Sequence, residues 1–111
     1  WRALAQAVSA VTVSDDQIRS RIRTDRARLG QTWCPHTATA AEAYARLDGR
    51  RRAAGPWVLV ATAHPAKFPE TVEPLIGERV PVPPALARLL ALARYVRDIP
   101  ASLEALKAAL P

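Results

Sequence analysis

Apolar residues recur at helical spacing over much of this 111-residue chain, and one stretch breaks that rhythm. Ile18, Ile22 and Leu29 fall on one side of a helix, which predicts an apolar stripe beginning just after Ser14. Several start signals agree there. Ser14 and Gln17 have capping-box spacing, and Val13 and Ile18 stand at the N′ and N4 positions of a hydrophobic staple. Asp15 and Asp16 place negative charge at the positive end of the helix dipole, and Gly30 is the expected stop. Ahead of this helix, residues 1–10 are Ala-rich and predicted helical, and Val11-Thr12-Val13 has strand-like composition. A further helix is predicted from Thr37 as N-cap to Leu47, with Asp48-Gly49 as its stop. Arg50-Arg51-Arg52 reads as an exposed loop. Pro65 or Pro69 opens a short helix that ends before Gly77, and Pro84 opens another through Leu86, Leu89 and Leu90. After Ile99-Pro100, a last helix presents Leu103, Leu106 and Leu110 on one face.

The exception is Trp57-Val58-Leu59-Val60-Ala61-Thr62, a continuous apolar run rich in β-branched residues. A short run that is apolar on both faces suits a central strand of a parallel sheet. Helices around such a strand, with no hairpin signals between them, predict an α/β class. One or two strands cannot make a sheet, so its other strands are expected from sequence outside these residues. The absence of Met, at the first position and elsewhere, points the same way, to a chain that begins inside a longer gene product.

Charge changes the picture only a little. The formal net charge is +6, carried almost wholly by Arg, since Lys67 and Lys107 are the only lysines. Such a balance fits a nucleic-acid binder, a genome that favours Arg codons, or a basic face on a larger protein. Arg19, Arg21, Arg23, Arg26 and Arg28 would suit a phosphate backbone, which makes a small basic Arg-rich nucleic-acid-binding or interaction module the alternative class. Those positions wrap around several sides of their helix, however, with Asp15, Asp16 and Asp25 among them. Aromatic residues make up only 5% of the chain and offer no platform for bases, so a solvated helix face is the better reading and no nucleic-acid partner is expected. Cys34 is the sole cysteine, which excludes an internal disulfide and suits the cytoplasm. No apolar run approaches the roughly 18–20 residues of a membrane helix, so no membrane partner is expected. Two histidines and one cysteine scattered over the chain do not have metal-site spacing.

The segment with most chemistry is Ala61-Thr62-Ala63-His64-Pro65-Ala66-Lys67-Phe68-Pro69, directly after the predicted strand. In open α/β sheets, ligands sit outside the carboxyl ends of strands, where Thr62 would offer a hydroxyl that both donates and accepts. Equally, Thr62 and His64 suit the plain task of capping a strand and a helix.

This nine-residue block resembles a signature of the bacterial-type threonine synthases. Pro35-His36-Thr37-Ala38 is similar to that family's Asp-Pro-His-Thr-Ala turn into a helix. Val13-Ser14-Asp15-Asp16-Gln17-Ile18 resembles its Val-Ser-Asp-Glu-Glu-Ile helix start, and Ile99-Pro100 followed by Leu103-Glu104-Ala105-Leu106-Lys107 is similar to its C-terminal helix. One departure stands out: Cys34 occupies the place of the family's Asp. The resemblance implies that residues 1–111 are a helix-rich C-terminal part of the large catalytic domain of a fold-type II pyridoxal-phosphate enzyme, with few strands of its own and an incomplete parallel sheet. The implied reaction turns O-phospho-L-homoserine and water into L-threonine and phosphate, with the cofactor as electron sink. The resemblance also implies that Thr62 faces the pyridine nitrogen and that the Schiff-base lysine lies upstream. His64, Lys67 and His36 are then expected to line the site: His64 at its floor or capping the next helix, Lys67 as a structural or anion-contacting residue, and His36 as a buried, hydrogen-bonded residue behind it. Taken alone, the chain is expected to be inactive.

Overall fold

The computed structural model describes residues 2–110 and divides into two compact units at Pro81 and Val82. The first unit contains α1 (Arg2–Ala7), α2 (Asp15–Leu29), α3 (Pro35–Ala45), α4 (Gly49–Ala53), a 3-10 turn (Pro65–Lys67) and α5 (Pro69–Ile76). The second contains α6 (Pro84–Leu90) and α7 (Leu103–Ala109). The helical expectation for Arg2–Ala7 holds, whereas Trp1 lies outside the described residues.

The start of α2 follows its sequence signals. Gln17 N–H donates to Ser14 Oγ at 3.4 Å, and Ser14 N–H donates back to Gln17 Oε1 at 2.9 Å, which closes the capping box. Gly30 ends the helix at φ 67°, a left-handed conformation that costs glycine little. The buried face differs from the expected stripe. Ile22 is fully buried and Ile18 half-buried, but Leu29 is exposed, and Asp25 takes a buried place on this helix.

The start of α3 corrects a sequence expectation. Thr37 is not the N-cap; Cys34 is, and Thr37 sits in the first turn. Pro35 is the reason, because its fixed φ and missing N–H suit the first helical position, which moves the cap three residues upstream of the expected one. Asp48-Gly49 is corrected too. Instead of stopping α3, Asp48 caps α4, its Oδ1 accepting from Arg51 N–H at 2.8 Å, so Arg50, Arg51 and Arg52 lie on a short exposed helix rather than a loop.

Helix α2 packs against both α3 and α5. The core between them is small: Ile22, Cys34, Ala38, Ala41, Ala66 and Val72, closed by Val80. Both helix-opening prolines are used, Pro65 for the 3-10 turn and Pro69 for α5. Gly77 ends α5 at φ 73°, and Glu73 Oε1 accepts from Val80 N–H at 3.0 Å, which folds the outgoing chain back onto the helix. Arg26 and Glu78 pair between α2 and this return.

The predicted strand is absent. No strand pairing occurs among the described residues, and Trp57–Thr62 has no regular secondary structure, nor has Val11-Thr12-Val13. Trp57 is 50% exposed, Val58 84% and Val60 69%, so residues patterned for a sheet interior lie on a surface. A strand is stabilised by bonds to a neighbour, and no segment among the described residues supplies one. Among the described residues, the class is therefore helical rather than α/β. Among the described residues, no helix is long and apolar enough to cross a membrane.

In the second unit, α6 begins at Pro84 as expected, and Ser102 caps α7 with its Oγ accepting from Ala105 N–H at 3.1 Å. Leu89, Leu90, Leu103 and Leu106 are all exposed.

Candidate functional site

The family-like block forms a tight turn locked to α5. His64 is the residue before the 3-10 turn, and Pro65 opens it. His64 Nδ1 accepts from Ala66 N–H at 3.1 Å, and Lys67 N–H donates to His64 O at 3.1 Å. Phe68 N–H donates to Pro65 O at 2.9 Å, while Phe68 O accepts from Thr71 N–H and Val72 N–H at 3.1 and 2.9 Å. Buried Ala66 and fully buried Val72 anchor the two ends of this arrangement in the core. A turn with so many local bonds fixes the backbone from which its side chains project.

Around it the predicted site residues fall as follows. Thr62 is exposed on the irregular segment that enters the turn, and His64 and Lys67 are exposed on the turn itself. His36 is exposed as well, on the first turn of α3, which corrects the expectation of a buried residue. Its ring lies 5.3 Å from that of Phe68, tilted by 58°, an aromatic contact rather than a hydrogen bond. Phe68 is thus the residue that sequence reasoning passed over. It joins the His36 helix to the His64–Lys67 turn, and its place inside the nine-residue block was the available signal.

The ionisable groups with displaced pKa values lie elsewhere, in a relay between α2 and α3. Arg21 reaches Glu42 through Nε at 2.9 Å and Nη2 at 2.8 Å, and Asp25 through Nη1 at 3.1 Å. Trp33 Nε1 donates to Asp25 Oδ2 at 2.8 Å. Arg46 binds Glu42 Oε1 at 2.9 Å and Thr12 O at 2.8 Å, which pins the chain ahead of α2 onto α3. Burial opposes the charge on Glu42, but hydrogen bonds from Arg21 and Arg46, with their positive charges, hold its carboxyl below the ordinary value of 4.5. Burial likewise opposes the Arg21 cation, and the bonds and charges of Glu42 and Asp25 outweigh it and raise that pKa. Each member holds another, so the relay is a brace rather than a reaction centre. Two of the five arginines that would suit a phosphate backbone, Arg21 and Arg26, are committed to ion pairs.

The arrangement can offer donors to a ligand, but the described residues do not build a cofactor cradle. A phosphate cradle needs consecutive backbone N–H groups that approach the ligand closely. Gly30, Gly49, Gly55 and Gly77 are separate, and a Cβ added at any of them would meet nothing within 4 Å. The described residues thus lack a glycine-built phosphate cradle of their own.

A family profile described as "Threonine synthase, C-terminal" matches residues 37–110. The chain is similar to threonine synthase of Serratia marcescens, 37% identical over 90 residues that cover 81% of this chain and 20% of that protein. It is also similar to threonine synthase of Escherichia coli strain K12, 34% identical over 93 residues, 84% of this chain and 21% of the relative. With threonine synthase of Pseudomonas aeruginosa it shares 36% identity over 90 residues, 80% of this chain and 19% of the relative. The chain thus spans about a fifth of the length of the curated relatives it matches. No solved structure matches.

Proposed function

Because this chain belongs to the threonine synthase C-terminal family, we propose that it forms the C-terminal part of an enzyme that converts O-phospho-L-homoserine and water into L-threonine and phosphate with the aid of pyridoxal phosphate. The observation that carries this reading is the profile match over residues 37–110, which takes in Thr62, His64 and Lys67. When bound, the cofactor withdraws electron density from the substrate carbons as protons leave them. The residues of this chain have positioning tasks. Thr62 sets its hydroxyl against the ring nitrogen, and the rigid turn after it presents His64 and Lys67 to the substrate. His36 steadies that turn through Phe68. The Schiff-base lysine and the phosphate cradle come from the remainder of the protein, as do the strands that pair with Trp57–Thr62.

The test uses the complete polypeptide that carries this sequence. It should bind pyridoxal phosphate and release phosphate from O-phospho-L-homoserine. Thr62→Val should keep the fold, lose one hydrogen bond of about 1 kcal/mol, and slow turnover several-fold. A wild-type polypeptide that leaves O-phospho-L-homoserine intact defeats the whole reading. Unchanged kinetics and cofactor affinity in Thr62→Val remove only Thr62 from the site.

A further inference from the structure

The bond that closes the His64 turn also decides where the imidazole carries its proton. Ala66 N–H donates to His64 Nδ1 at 3.1 Å. A ring nitrogen that accepts a hydrogen bond is unprotonated, so the neutral ring carries its proton on Nε2. Nδ1 is occupied by the cap and Nε2 is already protonated. His64 thus cannot act as a general base without giving up the turn. What remains is a single N–H donor of fixed direction on an exposed side chain.

The turn also carries a cation. Lys67 is exposed on it, and from Ala61 to Pro69 the sequence contains no carboxylate. Among the described residues, Lys67 forms no salt bridge. An N–H donor on a turn that also carries an ammonium without a salt bridge matches an anionic oxygen, since hydrogen bonds to a charged acceptor are the strong ones.

We propose that His64, locked as the Nε2–H tautomer, is a substrate-anchoring donor that works with Lys67 on an anionic oxygen of the substrate. The inference rests on the threonine synthase reading and adds a role for His64 and a chemistry for its ligand. That oxygen belongs to either the phosphate or the carboxylate of the substrate.

Two substitutions in the complete polypeptide separate anchoring from capping. In His64→Asn the side-chain oxygen sits near the place of Nδ1, so the cap is kept and the outward donor lost. In His64→Gln an amide N–H reaches near the place of Nε2, while the cap is weakened. His64→Asn should raise KM for O-phospho-L-homoserine about tenfold or more with an unchanged Tm, as expected for one lost bond to a charged group. His64→Gln should melt lower yet keep a KM closer to wild type. Nitrogen-15 NMR of the wild-type ring should show Nε2 protonated and Nδ1 as acceptor. Inhibition by inorganic phosphate and by L-homoserine then identifies the anchored group. Weaker phosphate inhibition in His64→Asn assigns the phosphate, and weaker L-homoserine inhibition assigns the carboxylate. Wild-type KM in His64→Asn, an Nδ1–H ring, or undiminished inhibition by both compounds overturns the proposal. A wild-type polypeptide without phosphate release removes it together with the family reading, a result distinct from the other three.

Discussion

At the start of α3 a sulfur does what an oxygen usually does. Cys34 Sγ accepts from Thr37 N–H at 3.4 Å and lies 3.2 Å from Thr37 Oγ1, all of it buried. A thiol is a weak acceptor, so this cap works with less than the usual strength. The position that resembles the family's Asp thus has a local task, satisfying an orphan N–H at the helix start. Cys34→Ala should cost about 1 kcal/mol through loss of the cap. Cys34→Asp should be at least as stable as the wild type, because a carboxylate there accepts from both Thr37 groups and complements the helix dipole. Thermal unfolding gives the order. An Asp variant that melts below the Ala variant would show that burial outweighs capping and would remove the cap assignment.

Between elements, the packing of α2 on α3 is bridged by the Arg21–Glu42 pair, which Arg46 supports from the end of α3. The buried apolar residues of the two helices include Ile22 on α2 and only the small Ala38 and Ala41 on α3, so the ion pair helps to fix how the helices meet. Glu42 and Arg21 have side chains only 15% and 19% exposed, so solvent screens them weakly. The sign of the pH dependence follows from Glu42. Its folded carboxyl titrates below 4.5, so its contribution is fully present above that pH and is lost as pH falls through the folded value. Wild-type stability should therefore drop below about pH 4.5, apart from the change shared by other carboxylates. Glu42→Gln should cost roughly 1.5–3 kcal/mol at neutral pH and lose less on acidification. Denaturant titrations at pH 7 and in the acid range measure both. Equal acid sensitivity of the two proteins would mean that the brace does not couple to protonation.

For the whole molecule, the relevant fact is how little apolar surface is covered. Half of the residues are hydrophobic, yet Trp57, Val58 and Val60 in the first unit are exposed, as are Leu92, Tyr95 and Val96 in the second. Apolar patches of this kind mark surfaces that bind protein or cause association. Residues 1–111 expressed alone should self-associate, which light scattering at increasing concentration will show. They should also be catalytically inert. After incubation with pyridoxal phosphate and borohydride reduction, mass spectrometry should find no stoichiometric label on Lys67 or Lys107. A monodisperse monomer that labels Lys67 fully and releases phosphate from O-phospho-L-homoserine would defeat this expectation.

What the sequence determined by itself is everything decided within about one helical turn. The Ser14–Gln17 box, the left-handed stops at Gly30 and Gly77, and the openings at Pro65, Pro69 and Pro84 all depend on neighbours a few positions away. The family likeness of residues 61–69 is likewise carried by the sequence alone. Even the misplaced cap at Thr37 was a local matter, since Pro35 was there to be weighed. Tertiary structure alone decided the rest. Asp25 is buried because Arg21 and Trp33 meet it there, and Phe68 became part of the candidate site because α3 brings His36 to it. Trp57–Thr62 stayed unpaired for the complementary reason. Hydrophobic alternation or continuity shows which residues suit a sheet, but a strand exists only when a distant segment supplies its hydrogen bonds.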